Sequence, residues 1–120
     1  MTLKECYEEM EGDFEDVTSR LRTNERIQKF LLKVLDDKSF DLLLKSIEAE
    51  DWEEAFRAAH TLKGVCQNLA ITRLYKSVSP LSDSLREGKR DSELLPMLKQ
   101  VEKDYEHITK CIKRLEKEKE

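Results

Sequence analysis

The chain has 120 residues, 40% of them charged and 7% aromatic, with three glycines, two prolines and a formal net charge of −4. That length suits one domain, residues 1–120, able to bury a core without a disulfide or metal staple, and so few breakers favour an all-α fold. A mildly acidic chain without a basic block is a poor binder of nucleic acid or of anionic membranes.

No run approaches the roughly 18 apolar residues of a membrane span, and "MTLKECYEEM" lacks the basic-then-apolar order of a signal peptide. Cys6, Cys66 and Cys111 are odd in number and far apart, so they read as reduced thiols of a cytoplasmic protein.

In chain order, residues 2–10 form a short acidic helix broken at Gly12. Phe14, Val17 and Leu21 recur at helical spacing and carry a second piece to about Arg22. Thr23 or Asn24 caps a third helix, whose face is Ile27, Phe30, Leu31, Val34 and Leu35 and which ends near Asp36. Ser39 opens a fourth, with Phe40, Leu43, Leu44 and Ile47 as its stripe. The stripe resumes after "EAED" at Trp52, Ala55, Phe56, Ala59, Leu62, Cys66 and Leu69. A break near residues 70–72 leads into Leu74, Tyr75, Val78, Leu81 and Leu85, with Gly88 as the C-cap. Pro80 removes the hydrogen bond to the Lys76 carbonyl, so a kink or short break is expected there.

The last segment steps by 4 and 3 through Leu94, Leu98, Val101, Tyr105, Ile108, Ile112 and Leu115, a heptad seam with Pro96 in its first turn. Packed on the preceding helices, this seam completes an antiparallel up-and-down four-helix bundle with additional short N-terminal segments. An intermolecular coiled coil is the other use of such a seam. The expectation is a monomer.

His60 stands apart from these stripes. Successive helical side chains are about 100° apart, which puts it roughly 130° from the centre of the core-facing residues. Its neighbours one and two turns away are Phe56, Lys63, Gly64 and Gln67. A glycine inside a helix costs about 1 kcal/mol relative to alanine, and Gly64 is not near an end. It leaves open space beside the imidazole, which a partner's active site could use.

Neutral imidazole is a nucleophile near pH 7, and phosphoryl transfer asks a protein mainly for positioning and charge neutralisation. Lys63 offers an ammonium to phosphoryl oxygens and Gln67 a hydrogen bond. His107, off the seam among Glu102, Lys103, Glu106 and Lys110, reads as an ordinary solvated histidine.

The stretch "RAAHTLKGVCQNLA" resembles the signature of histidine phosphotransfer (HPt) domains, commonly His-x-Leu-Lys-Gly with a small residue, often glycine, six positions on. His60, Leu62, Lys63 and Gly64 match; the later glycine is Ala70 here. The resemblance implies a four-helix bundle in which His60 accepts a phosphoryl group from a receiver-domain aspartyl phosphate and passes it to another response regulator. It implies receiver domains and a hybrid histidine kinase as partners, with Lys63, Gly64 and Gln67 supporting His60. Docking is expected on Glu53, Phe56 and Arg57.

No cofactor or metal is expected, since there is no glycine-rich phosphate loop and no set of kinase elements. His60 and Cys66 point to different sides, and His107 with Cys111 gives at most two ligands. Cys66 reads as buried and inert. The rival to phosphotransfer is a non-catalytic helical interaction module, or an adaptor assembled through the seam.

Overall fold

A computed structural model describes residues 1–88 and 93–119. Among them the elements are α1 (Leu3–Met10), α2 (Phe14–Leu21), α3 (Asn24–Leu32), a 3-10 segment (Lys33–Asp36), α4 (Ser39–Glu48), α5 (Trp52–Asn68), α6 (Thr72–Arg86) and α7 (Leu94–Lys119). No strand occurs among the described residues, and the fold is an all-α helical bundle. No helix there is long and apolar enough to cross a membrane.

The helix starts follow from capping chemistry. Thr2 and Glu5 form a reciprocal capping box on α1. Asp13 and Thr23 accept from the third residue of α2 and of α3, Asp16 and Arg26. Asp51 accepts from the Glu54 amide at 3.3 Å, with Glu53 and Glu54 placed favourably in the positive first turn of α5. Gly88 stands past the end of α6 with φ +84°, the left-handed conformation expected of a C-cap glycine.

Helix α5 is the central element, packed between α4 and α6, while α7 packs on α6 and α1. It can be central because its inner face is built from small residues. Ala55, Ala58, Ala59, Leu62 and Cys66 are all buried there, and three alanines let the flanking helices approach closely. Phe40 of α4 stacks on Tyr105 of α7 at 4.1 Å between ring centroids, which ties the first bundle helix to the last. The seam residues Leu94, Val101, Ile108, Ile112 and Leu115 are buried in this same core, while Leu98 and Tyr105 are half-buried against it.

The α5–α6 turn is closed by paired backbone bonds, Ile71 N to Cys66 O at 2.9 Å and Ala70 N to Gln67 O at 3.3 Å, with Ile71 and Cys66 both buried. That is a Schellman motif, and its left-handed position is Ala70, φ +53°. The chain thus puts an alanine where backbone geometry favours glycine.

The N-terminal segment is latched onto this turn. Tyr7 Oη donates to Leu69 O at 2.8 Å, Asp13 N to Ala70 O at 2.9 Å, and Arg73 N to Glu11 O at 3.2 Å. Gly12 is the residue that allows the approach. A Cβ there would stand 2.9 Å from both Ala70 O and Tyr7 Cδ2. Arg73 then bridges Glu11 at 2.6 Å and the buried Asp104 of α7 at 2.8 Å, and Gln100 donates to the same Asp104 oxygen at 3.0 Å. Burial works to raise the Asp104 carboxyl, but these donors outweigh it and hold the group below its ordinary value.

Two expectations need correction. The short break expected at Pro80 is absent, since α6 runs through it to Arg86. Pro80 and Lys76 are both exposed, so the carbonyl that loses its N–H partner lies on the solvent side of the helix, where the loss costs least. Phe30 is not a core residue but 37% exposed, because Ile27, Leu31 and Val34 already fill the inner face and leave it on the flank.

Candidate functional site

Helix α5 presents one outward crest. His60, Gly64, Gln67, Glu53 and Arg57 are exposed on it, with Phe56 and Lys63 half-buried beside them. The structure therefore gathers every residue the sequence pointed to on one flank of one helix. The directly observed contact to the histidine is aromatic: the Phe56 and His60 rings stack at 5.7 Å between centroids and 30° between planes. Phe56 packs against the core below, so it supports the imidazole from one face and leaves the ring edge outward. Among the described residues the His60 nitrogens take no protein hydrogen bond, so both are open to a reactant.

A Cβ built on Gly64 would meet nothing within 4 Å. This glycine is not a packing residue. The helix gives up propensity at a position where the protein itself has nothing to fit. Arg57 pairs with Glu53 at 3.3 Å and Glu54 at 3.5 Å, all exposed in part or in full. Such pairs contribute little to stability, and a partner can rearrange them at low cost.

The buried thiol six residues past His60 behaves as expected. Cys66 is enclosed, and burial pushes it up to about 12, far from a reactive thiolate. Among the described residues no His, Cys, Asp and Glu cluster could hold a metal ion.

His107 differs from its sequence reading. Its Nε2 lies 2.6 Å from the Glu9 carbonyl oxygen, and Arg114 beside it pairs with the Glu9 carboxylate at 2.7 Å. The ring is a fastener between α1 and α7, half-buried rather than freely solvated. Its partner is 98 positions away, so no local pattern could have shown it.

Sequence reasoning also passed over the ground beside the crest. Phe30, Lys33, Val34 and Asp37 face Val65, Asn68 and Leu69 across a cavity of about 180 Å³. Further along, Leu42, 40% exposed, borders a depression with Arg57, Ala58 and Thr61. The missed signal was Phe30's place on the α3 wheel, about 60° off Ile27 and level with cations rather than with leucines.

The sequence model of the Hpt domain family matches residues 2–118, nearly the whole chain. The chain belongs to the Hpt domain family. Comparison with curated proteins and with solved structures found no match. Hpt domains carry out histidine phosphotransfer in phosphorelays without kinase catalytic machinery, and they interact there with receiver domains and histidine kinases. The family match spans the latch, the crest and α7 together, with the short α1 and α2 inside it.

Proposed function

We propose that this Hpt protein is a phosphorelay intermediate whose phosphoacceptor is His60. An imidazole nitrogen attacks the phosphorus of a receiver's aspartyl phosphate. The P–N bond forms as the P–O bond breaks, and the aspartate leaves as a free carboxylate. Transfer onward is the reverse of this step on the aspartate of another response regulator. Lys63 neutralises phosphoryl oxygens, Gln67 donates to them, and Gly64 admits the receiver's active-site rim. Glu53, Phe56 and Arg57 are the docking contacts, and a hybrid histidine kinase is a fitting source of the donor receiver. The reading further takes residues 1–120 as one domain, which a single connected core supports, and takes the protein as monomeric and cytoplasmic.

The observation that carries this is the pairing of an exposed, aromatic-backed histidine with an interior glycine that has only open space beside it. Incubation with a receiver domain charged by acetyl phosphate tests it. An acid-labile, alkali-stable phosphoryl group should appear on the wild type and be absent from His60→Gln, with the helical signal and Tm unchanged. Label retained on His60→Gln, or none on the wild type with any receiver, overturns the assignment.

A further inference from the structure

The chain is acidic overall, but its charge is unevenly placed. Residues 20–33 carry five cations (Arg20, Arg22, Arg26, Lys29, Lys33) against Glu25 alone. That is a local net charge of +4, which leaves −8 on the rest of a chain totalling −4.

On α3 and just past it, Arg26, Lys29 and Lys33 step by 3 and 4, and Phe30 stands four beyond Arg26. They therefore share one flank, and all four are exposed. Arg26 and Lys29 have no carboxylate partner among the described residues, while Lys33 Nζ sits 5.2 Å from the centroid of the Phe30 ring.

The fold gives little reason for this stripe. Lys29 and Lys33 near the helix end complement its dipole, but Arg26 lies in the first turn, where a cation is unfavourable. Like charges one turn apart also repel. Two of its members, Phe30 and Lys33, border the cavity shared with Asp37 and with Val65, Asn68 and Leu69, in the last turns of α5, the helix that carries His60.

We infer that the exposed α3 flank of Arg26, Lys29, Phe30 and Lys33 is a second docking arm that reads an acidic, apolar-centred surface on the receiver domain meeting His60. The inference rests on the phosphotransfer reading above and adds the partner's chemistry. Phe30 enters an apolar recess, the cations meet carboxylates around it, and the cavity beside Val65 closes as the two surfaces join. Contacts of this kind act mainly on encounter and on choice of partner. The arm thus selects among receivers, while the His60 crest does the chemistry common to all. A protein fits the stripe better than nucleic acid does, because one short helix of cations stands in an otherwise acidic chain.

The test compares wild type, the double variant Lys29→Glu with Lys33→Glu, Phe30→Ala, and Lys113→Glu as a charge reversal on the exposed side of α7. One receiver domain that transfers to the wild type is charged with acetyl phosphate, and phosphoramidate serves as a small donor with no surface to dock. The double variant should lose about tenfold or more in transfer from the receiver at low ionic strength. The gap should narrow as salt screens the charges over a Debye length of about 10 Å at 0.1 M.

Phe30→Ala should lose transfer with little salt dependence. Both should label with phosphoramidate within about twofold of wild type, and Lys113→Glu should behave as wild type. Receiver transfer unchanged in the double variant overturns the arm while leaving the function standing, as does equal loss with phosphoramidate. Tighter competition by duplex DNA than by the receiver for the same stripe overturns it in favour of nucleic acid. No transfer from any receiver to the wild type instead sinks the function and the arm together.

Discussion

Gly64 and Gly12 are the same residue put to opposite uses. Beside Gly64 there is empty space, and the surrounding side chains on the crest are exposed and loosely paired. Beside Gly12 the backbone of the α5–α6 turn and the Tyr7 ring press in at 2.9 Å, and nearly every polar group around it is satisfied. The latch is finished within the chain. On the proposed reading the crest, a few residues away along the same helix, is completed by a second molecule, and Gly64 is explained by that partner and not by the fold.

This contrast can be broken at either region. The largest effect on stability is expected from Arg73→Ala, which leaves Asp104 buried without its guanidinium. Loss of a charge-assisted bond to a buried group costs about 2–3 kcal/mol, less than for a fully enclosed pair because Arg73 is a quarter exposed. Denaturant unfolding measures the loss. The sign with pH follows from the depressed Asp104 carboxyl. Its contribution is complete above the unfolded value of about 3.9 and disappears as pH falls through the folded one. The wild type should therefore lose this increment only in acid, and Arg73→Ala should show a smaller fall in stability over that window.

Gly64→Phe should slow receiver transfer by about tenfold or more, in keeping with loss of near-attack positioning. Folding should be untouched, and Gly64→Ala should gain up to about 1 kcal/mol from helix propensity. A destabilised Gly64→Ala, or a Gly64→Phe with normal transfer rates, would collapse the comparison. Gly12→Ala should cost about 1–2 kcal/mol, since Ala70 O and the hydrogen-bonded Tyr7 ring must give way. Transfer by the folded fraction should stay normal. The smallest effect is Ala70→Gly, which relieves a left-handed alanine and should raise stability by about 0.5–1 kcal/mol, visible as a Tm increase of a few degrees.

The crest was readable from the sequence because it is local. The spacing from Phe56 through His60 to Gln67 is fixed by one helix, and the wheel alone turns it outward. The start of α3 was readable for a similar reason, since Thr23 caps by chemistry within a few residues, and the structure adds the same local device at Thr2, Asp13 and Asp51. The latch was not. Gly12 looked like a helix breaker, and its crowded neighbour is 58 positions on, at Ala70. Arg73 and Asp104 are 31 apart, with nothing in either stretch to announce the other. Ala58 shows the same limit on a smaller scale, because an alanine between stripes is neutral until two helices close over it. The departure at Ala70 was visible as a letter, while its backbone strain became visible only as an angle.

Helix α5 is held on both sides by α4 and α6 and fixed at its far end by the N-terminal latch, so the crest cannot turn to suit its visitor. On the proposed reading, donor and acceptor compete for one narrow ridge and cannot occupy it together. The first must leave before the second arrives, and in between the loaded protein travels alone. His60 then carries its cargo on a ring that Phe56 covers on one face and that takes no hydrogen bond among the described residues. How long that bond survives in solution becomes the clock that limits how far and how fast the message moves.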